Sequence, residues 1–149
     1  MISIPNCKII VMNRLQFINM CQTNSWTDFT VDLVKDAAFI SISDINSPQP
    51  AVFNFNHPNV LNLNFDDVGC DISSDIATTI VNFIEGNLGK TFYIHCNAGI
   101  SRSGAVGKFI ESSYDGYRNS IYNEGKLRPN MSVLTSLKRI LWSRRFQES

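Results

Sequence analysis

No apolar run in the chain approaches the ~18 residues that a membrane-spanning helix needs. The opening Met1-Ile2-Ser3-Ile4-Pro5 lacks the basic segment of a secretory signal. A cytoplasmic location without membrane association is therefore expected. Metal chemistry is poorly provided for: Cys7, Cys21, Cys70 and Cys96 form no Cys-x-x-Cys pair, and only two histidines, His57 and His95, could complete a ligand set. A zinc site is not expected and a disulfide framework is unnecessary; Cys7, Cys21 and Cys70 read as small buried hydrophobes, unless one lies near a reactive thiol and traps its sulfenic acid. Net charge is absent too, with thirteen basic and thirteen acidic side chains. The imbalance is local: residues 105–149 carry eight basic and four acidic groups. Lys138, Arg139, Arg144 and Arg145 read as the solvated face and cationic end of a helix. Aromatic and basic residues do not interleave as a nucleic-acid platform requires, so no nucleic-acid partner is expected.

Repeats, low-complexity runs and linkers are missing as well. With 149 residues, 44% of them hydrophobic, the chain can bury one core and is too short for a typical second domain, so residues 1–149 are expected to form a single domain. Lys8–Met12 reads as a strand, and Asn13 caps a helix through Leu15, Ile18 and Cys21. Ala38–Ser43, Val52–Phe55 and Val60–Phe65 supply further strands. Ser73 or Ser74 opens a helix carrying Ile76, Ile80, Phe83 and Ile84, stopped by Gly86 and Gly89. A strand then runs into His95, a helix opens near Ser103, and two more helices are expected, over Tyr117–Glu124 and Met131–Trp142. Strands alternating with helices imply an α/β fold whose mostly parallel sheet, of about four to five strands, is covered on both faces.

The densest chemistry lies in His95-Cys96-Asn97-Ala98-Gly99-Ile100-Ser101-Arg102-Ser103-Gly104, a tight loop between the strand and the helix. A helix N-terminus carries unpaired N–H groups and roughly half a positive charge, which attracts phosphate. The same field favours a thiolate, and activated cysteines of this kind have pKa values of roughly 3.5–7.5. Gly99 permits the unusual φ or close approach that curling successive amides around one anion requires. Arg102, six positions after Cys96, can hold two oxygens of a phosphate with its planar fork. A Cys and an Arg at that spacing would arise by chance in about one such chain in five; adding the His, the Gly and the Ser lowers this below about one in 10⁴.

These residues resemble the signature of the cysteine-dependent protein tyrosine phosphatases, and Ala98-Gly99-Ile100-Ser101-Arg102-Ser103 is most similar to the dual-specificity branch. The resemblance covers residues 60 to 140 well and the N-terminal third in outline. It implies a phosphatase-like fold in which Cys96 attacks phosphorus and the amides from Asn97 through Ala98, Gly99, Ile100 and Ser101 to Arg102 cradle the oxygens. It also implies that Ser103 steadies the leaving thiolate and that His95 orders the loop from behind. Neither a metal nor an organic cofactor is implied.

Such an enzyme also needs a carboxylic acid to protonate the leaving oxygen, a contribution of roughly 10²–10⁴-fold. In dual-specificity relatives it lies about thirty residues before the cysteine, after a strand. Asp66 stands thirty positions before Cys96 and five before Asp71; Asp67 is the close alternative. No Pro precedes the acid here, unlike in many relatives. Pro129-Asn130 matches a Pro-Asn placed before the last core helix, where the Asn supports the phosphate loop; the same pair also reads as a plain N-cap. Arg128 reads as an ordinary exposed loop arginine. The absence of lysine between Cys96 and Arg102 disfavours a lipid head group, and Ala98 with Ser101-Arg102-Ser103 departs from the RNA-triphosphatase pattern. A phosphorylated protein or peptide is the expected partner, phosphotyrosine first, then phosphoserine and phosphothreonine. A phosphate-recognising module without turnover, and thiol-based arsenate reduction or sulfur transfer, are the alternatives.

Overall fold

Alternation along one strand divides the interior into two cores. The computed structural model describes residues 8–22, 36–46, 59–67, 69, 71–96, 101–117, 121–122 and 128–148, without the side chains of 19–22, 121–122, 147 and 148. In β2 (Ala37–Ser43) every residue is buried. Ala38, Ile40 and Ile42 belong to the larger core, whereas Ala37 and Phe39 pack in a smaller cluster with Phe17. Burial on both faces is the state of a parallel strand sandwiched between helices.

The sheet has five strands in the order β3-β2-β4-β1-β5, every pair parallel. Its members are β1 (Ile9–Met12), β2, β3 (Val60–Asn64), β4 (Thr91–His95) and β5 (Ile121–Tyr122). Helix α1 (Arg14–Gln22) covers the smaller core through Phe17. Helices α2 (Ser74–Gly86), α3 (Arg102–Ser113) and α4 (Met131–Glu148) cover the other face. They contribute Ile80, Ile84, Phe109, Ile110, Leu137 and Leu141 to the larger core. Each such side chain, fully buried, stabilises the fold by about 1.5–3 kcal/mol.

Local chemistry sets the helix ends. The Asn13 side chain accepts from Gln16 N–H at 2.9 Å while Gln16 Oε1 accepts from Asn13 N–H at 3.1 Å, a reciprocal cap that starts α1 immediately after β1. Ser73 Oγ accepts from Ile76 N–H and opens α2, with Asp75 in the first turn against the helix dipole. After α2, Asn87 Nδ2 donates to Phe83 O, and Gly89 takes a positive φ of 92°, which turns the chain back into β4.

One expected element is different. Within the helix expected over Tyr117–Glu124, Ile121–Tyr122 is instead a short strand paired in parallel with Ile9 and Ile10 of β1. A β-branched and an aromatic residue suit a pleated edge, and pairing with a central strand outweighs local helical propensity. The last helix also runs beyond Trp142, to Glu148. The strand expected at Val52–Phe55 lies outside the described residues, as do Cys7, His57 and Cys70.

Candidate active site

Three neighbouring parallel strands end at the same edge of the sheet, and each delivers a polar residue there: Asp44 after β2, Asp66 and Asp67 after β3, and Cys96 after β4. The carboxyl ends of parallel strands are where α/β sheets place ligands. Cys96 is 2% exposed, and its Sγ lies 3.1 Å from Ser103 Oγ in the first turn of α3. Ser101, the N-cap position of α3, makes no capping bond with its side chain. The end of α3 therefore keeps the character of an anion site. Asn97, Ala98, Gly99 and Ile100 lie outside the described residues.

Arg102 is buried to 3% exposure. Its Nη1 donates to the carbonyl of Phe65 at 2.6 Å and pairs with Asp44 Oδ1 at 2.8 Å. Its Nε is also buried, with no hydrogen-bond partner among the described residues. A buried guanidinium donor left unpaired costs free energy unless an anion takes it.

His95 faces the opposite side of β4. Its ring packs 4.2 Å from the ring of Phe17 on α1, and Ser41, its register partner on β2, lies beside it. The Cys96 carbonyl, 3.3 Å from Nδ1, can only accept, so Nδ1 carries the proton; Nε2 then accepts from the Ser41 hydroxyl at 2.5 Å. Burial lowers the pKa of His95 to about 4, the bond to the Cys96 carbonyl partly offsets this, and the nearby Arg14 and Arg102 charges lower it further. The imidazole is therefore neutral at pH 7 and donates to the Cys96 carbonyl.

The two candidate acids have different partners. Asp66 Oδ1 accepts from the backbone N–H of Ile45, at the end of β2. Asp67 Oδ1 accepts from the Ser101 hydroxyl at 2.8 Å and from Asn130 Nδ2 at 2.7 Å. Asn130 also donates its backbone N–H to the Ser101 carbonyl at 3.0 Å, and its Oδ1 caps α4 by accepting from Ser132 and Val133. Cys96, Ser103, Arg102, Ser101, Asp67 and Asn130 thus form one contiguous group, whereas Asp66, between Phe65 and Asp67 in the chain, bonds to Ile45. Asp44, Ser41 and the Phe65 carbonyl belong to it as well, and sequence reading passed them over. The available signal was position, since Asp44 and Phe65 close strands whose neighbours also end in chemistry. Among the described residues, no group of three His, Cys, Asp or Glu side chains is placed to hold a metal ion, and no helix is long and apolar enough to cross a membrane.

No protein-family model matches the sequence, and neither does any curated protein. The fold does match solved structures. A human tyrosine phosphatase-like serine/threonine/tyrosine-interacting protein is 18% identical with a TM-score of 0.51, over 83% of this chain and 89% of that one. PTPMT1, solved in complex with PI(5)P, is 14% identical with a TM-score of 0.55, over 99% of this chain and 98% of that one. At these identities the likeness is one of fold, and the fold is that of tyrosine phosphatase-like proteins.

Proposed function

We propose that this chain, built on the tyrosine phosphatase-like fold, hydrolyses phosphate monoesters through a cysteinyl-phosphate intermediate. The observation that carries the reading is the buried Cys96 sulfur before the N-terminus of α3, where Ser101 makes no side-chain cap; it lies 3.1 Å from the Ser103 hydroxyl and is followed by a buried Arg102 whose Nε has no hydrogen-bond partner among the described residues. The Cys96 thiolate attacks phosphorus in line, the bond from phosphorus to the leaving oxygen breaks, and Asp66 gives that oxygen its proton. The loop amides and Arg102 stabilise the charge on the equatorial oxygens. Water then attacks the phosphocysteine, the phosphorus–sulfur bond breaks, Asp66 takes the proton from that water, and the departing thiolate is stabilised by a hydrogen bond from the Ser103 hydroxyl. Neither a metal nor an organic cofactor enters the scheme.

Phosphotyrosine in proteins or peptides is the first substrate class, followed by phosphoserine and phosphothreonine. The test is release of inorganic phosphate from an aryl phosphate in the presence of EDTA, with and without vanadate, by the wild type and by Cys96→Ser and Arg102→Ala. Vanadate-sensitive turnover that Cys96→Ser abolishes and Arg102→Ala nearly abolishes is expected. EDTA-sensitive activity surviving Cys96→Ser would overturn the scheme. Phosphopeptide binding without turnover would point instead to a recognition module, and thiol-linked arsenate or sulfur transfer to redox chemistry. Because PTPMT1 was solved with PI(5)P, a phosphoinositide belongs beside the phosphopeptides; preferred release from the lipid would overturn the assignment to protein substrates.

A further inference from the structure

Residues 65, 66 and 67 follow β3 in an unbranched stretch, yet each engages a different part of the site. Phe65 receives Arg102 on its carbonyl, Asp66 receives the Ile45 N–H, and Asp67 receives Ser101 and Asn130. The third engagement closes a circuit. One oxygen of Asp67 takes donors from the exit of the phosphate loop and from the cap of α4, and those two donors are joined by the bond from Asn130 N–H to the Ser101 carbonyl. Two residues further along, the Gly69 carbonyl accepts from the Ser132 hydroxyl on α4 at 3.1 Å. The segment carrying the candidate acid is therefore tied down on both sides of residue 68, to elements 34 and 63 residues away.

The cap position explains why the tie is possible. Ser at an N-cap ordinarily turns its hydroxyl back to accept from its own helix. Here the Ser101 hydroxyl donates outward to Asp67 and makes no capping bond. Hydrogen bonds to an ionised carboxylate are about twice as strong as neutral ones, which compensates for the missing cap. Neither bond requires Asp67 to hold or move a proton, because an oxygen that accepts twice is all that Ser101 and Asn130 use.

The geometry points to Asp67 as a positioning residue: a clasp that fixes the Asp66 segment against the phosphate loop, and not the proton donor. This rests on the phosphatase reading above, and it separates the roles of two adjacent aspartates. Asn is the informative substitution, since its amide oxygen can accept from both donors but cannot transfer a proton. The experiment measures kcat and KM across pH 5–9 for p-nitrophenyl phosphate and for phenyl phosphate, whose leaving group needs protonation more. Asp67→Asn is expected to stay within about threefold of wild type and to keep the basic limb of the pH profile. Asp67→Ala and Ser101→Ala are expected to lower kcat roughly tenfold with little change in KM, more for phenyl phosphate, while Asp66→Asn loses the basic limb.

If Asp67→Asn is as impaired as Asp67→Ala and also loses the basic limb, Asp67 is the acid and the clasp is wrong. Wild-type kinetics in Asp67→Ala would equally overturn it. Failure of the phosphatase reading looks different, because the wild type itself would show no Cys96-dependent turnover. In that case the clasp is read from thermal unfolding of Asp67→Ala, Ser101→Ala and the double variant. A double variant shifted no further than the larger single shift supports coupling, and additive shifts refute it.

Discussion

Acidification should unlock His95 before it reaches the rest of the core. The folded pKa of about 4 lies below the ordinary 6.5, so the unfolded chain binds the extra proton and stability is lost as pH falls. The stabilisation is fully present above pH 6.5, declines between 6.5 and 4, and is gone once the folded ring protonates. Linkage for one such group gives a loss of roughly 2 kcal/mol at pH 5 and about 3 kcal/mol at pH 4. The cause is chiefly desolvation: the ring is buried between Ser41 and Phe17, and the nearby Arg14 and Arg102 charges add to it. Carboxylates titrate in the same range, so the assay is urea unfolding of wild type and His95→Asn at a series of pH values. The stability gap between them should shrink by about 2 kcal/mol from pH 7 to pH 5. With only two histidines in the chain, NMR gives an independent readout, in which the imidazole signal missing from His95→Asn should remain unprotonated down to about pH 4. A gap that does not change with pH, or a His95 signal titrating near 6.5, would refute the buried neutral ring.

Removing Phe17 should undo that shift from the other side. Phe17→Ala opens a cavity beside the imidazole, costing about 3–5 kcal/mol in unfolding experiments and moving the His95 titration back towards 6.5. Asp44→Ala leaves Arg102 Nη1, among the described residues, with the Phe65 carbonyl. Because Asp44 is 38% exposed, the loss should sit near the low end for a charge-assisted bond, about 1–2 kcal/mol of stability. With it should go a roughly tenfold fall in kcat/KM for an aryl phosphate, and Asp44→Asn, which keeps an acceptor, should lose less. Ser103→Ala should slow the second step, giving a burst of p-nitrophenol followed by a turnover about tenfold slower. Monophasic release at an unchanged rate would remove Ser103 from the leaving-thiolate role.

Local features of the chain already specify much of the molecule. The alternation in Ala37–Ser43, the caps at Asn13 and Ser73, the turn at Gly89 and the Cys96–Arg102 spacing are short-range signals, and each acts through contacts a few residues apart. For that reason the α/β order and the thiol beside a helix N-terminus could be read without coordinates. Ile121–Tyr122 could not, because its state depends on the exposed edge of β1, more than a hundred residues earlier. The same holds for the surroundings of Cys96. Only the strand order β3-β2-β4-β1-β5 puts the ends of β2 and β3 next to that of β4. Asp44 and the Phe65 carbonyl thereby reach Arg102, Ser41 reaches His95, and Asp67 meets Ser101 and Asn130. Residue types and short-range spacing supplied the proposed nucleophile and the helix N-terminus beside it, while the partners around them came from the register of parallel strands, a long-range property that no local window of sequence contains.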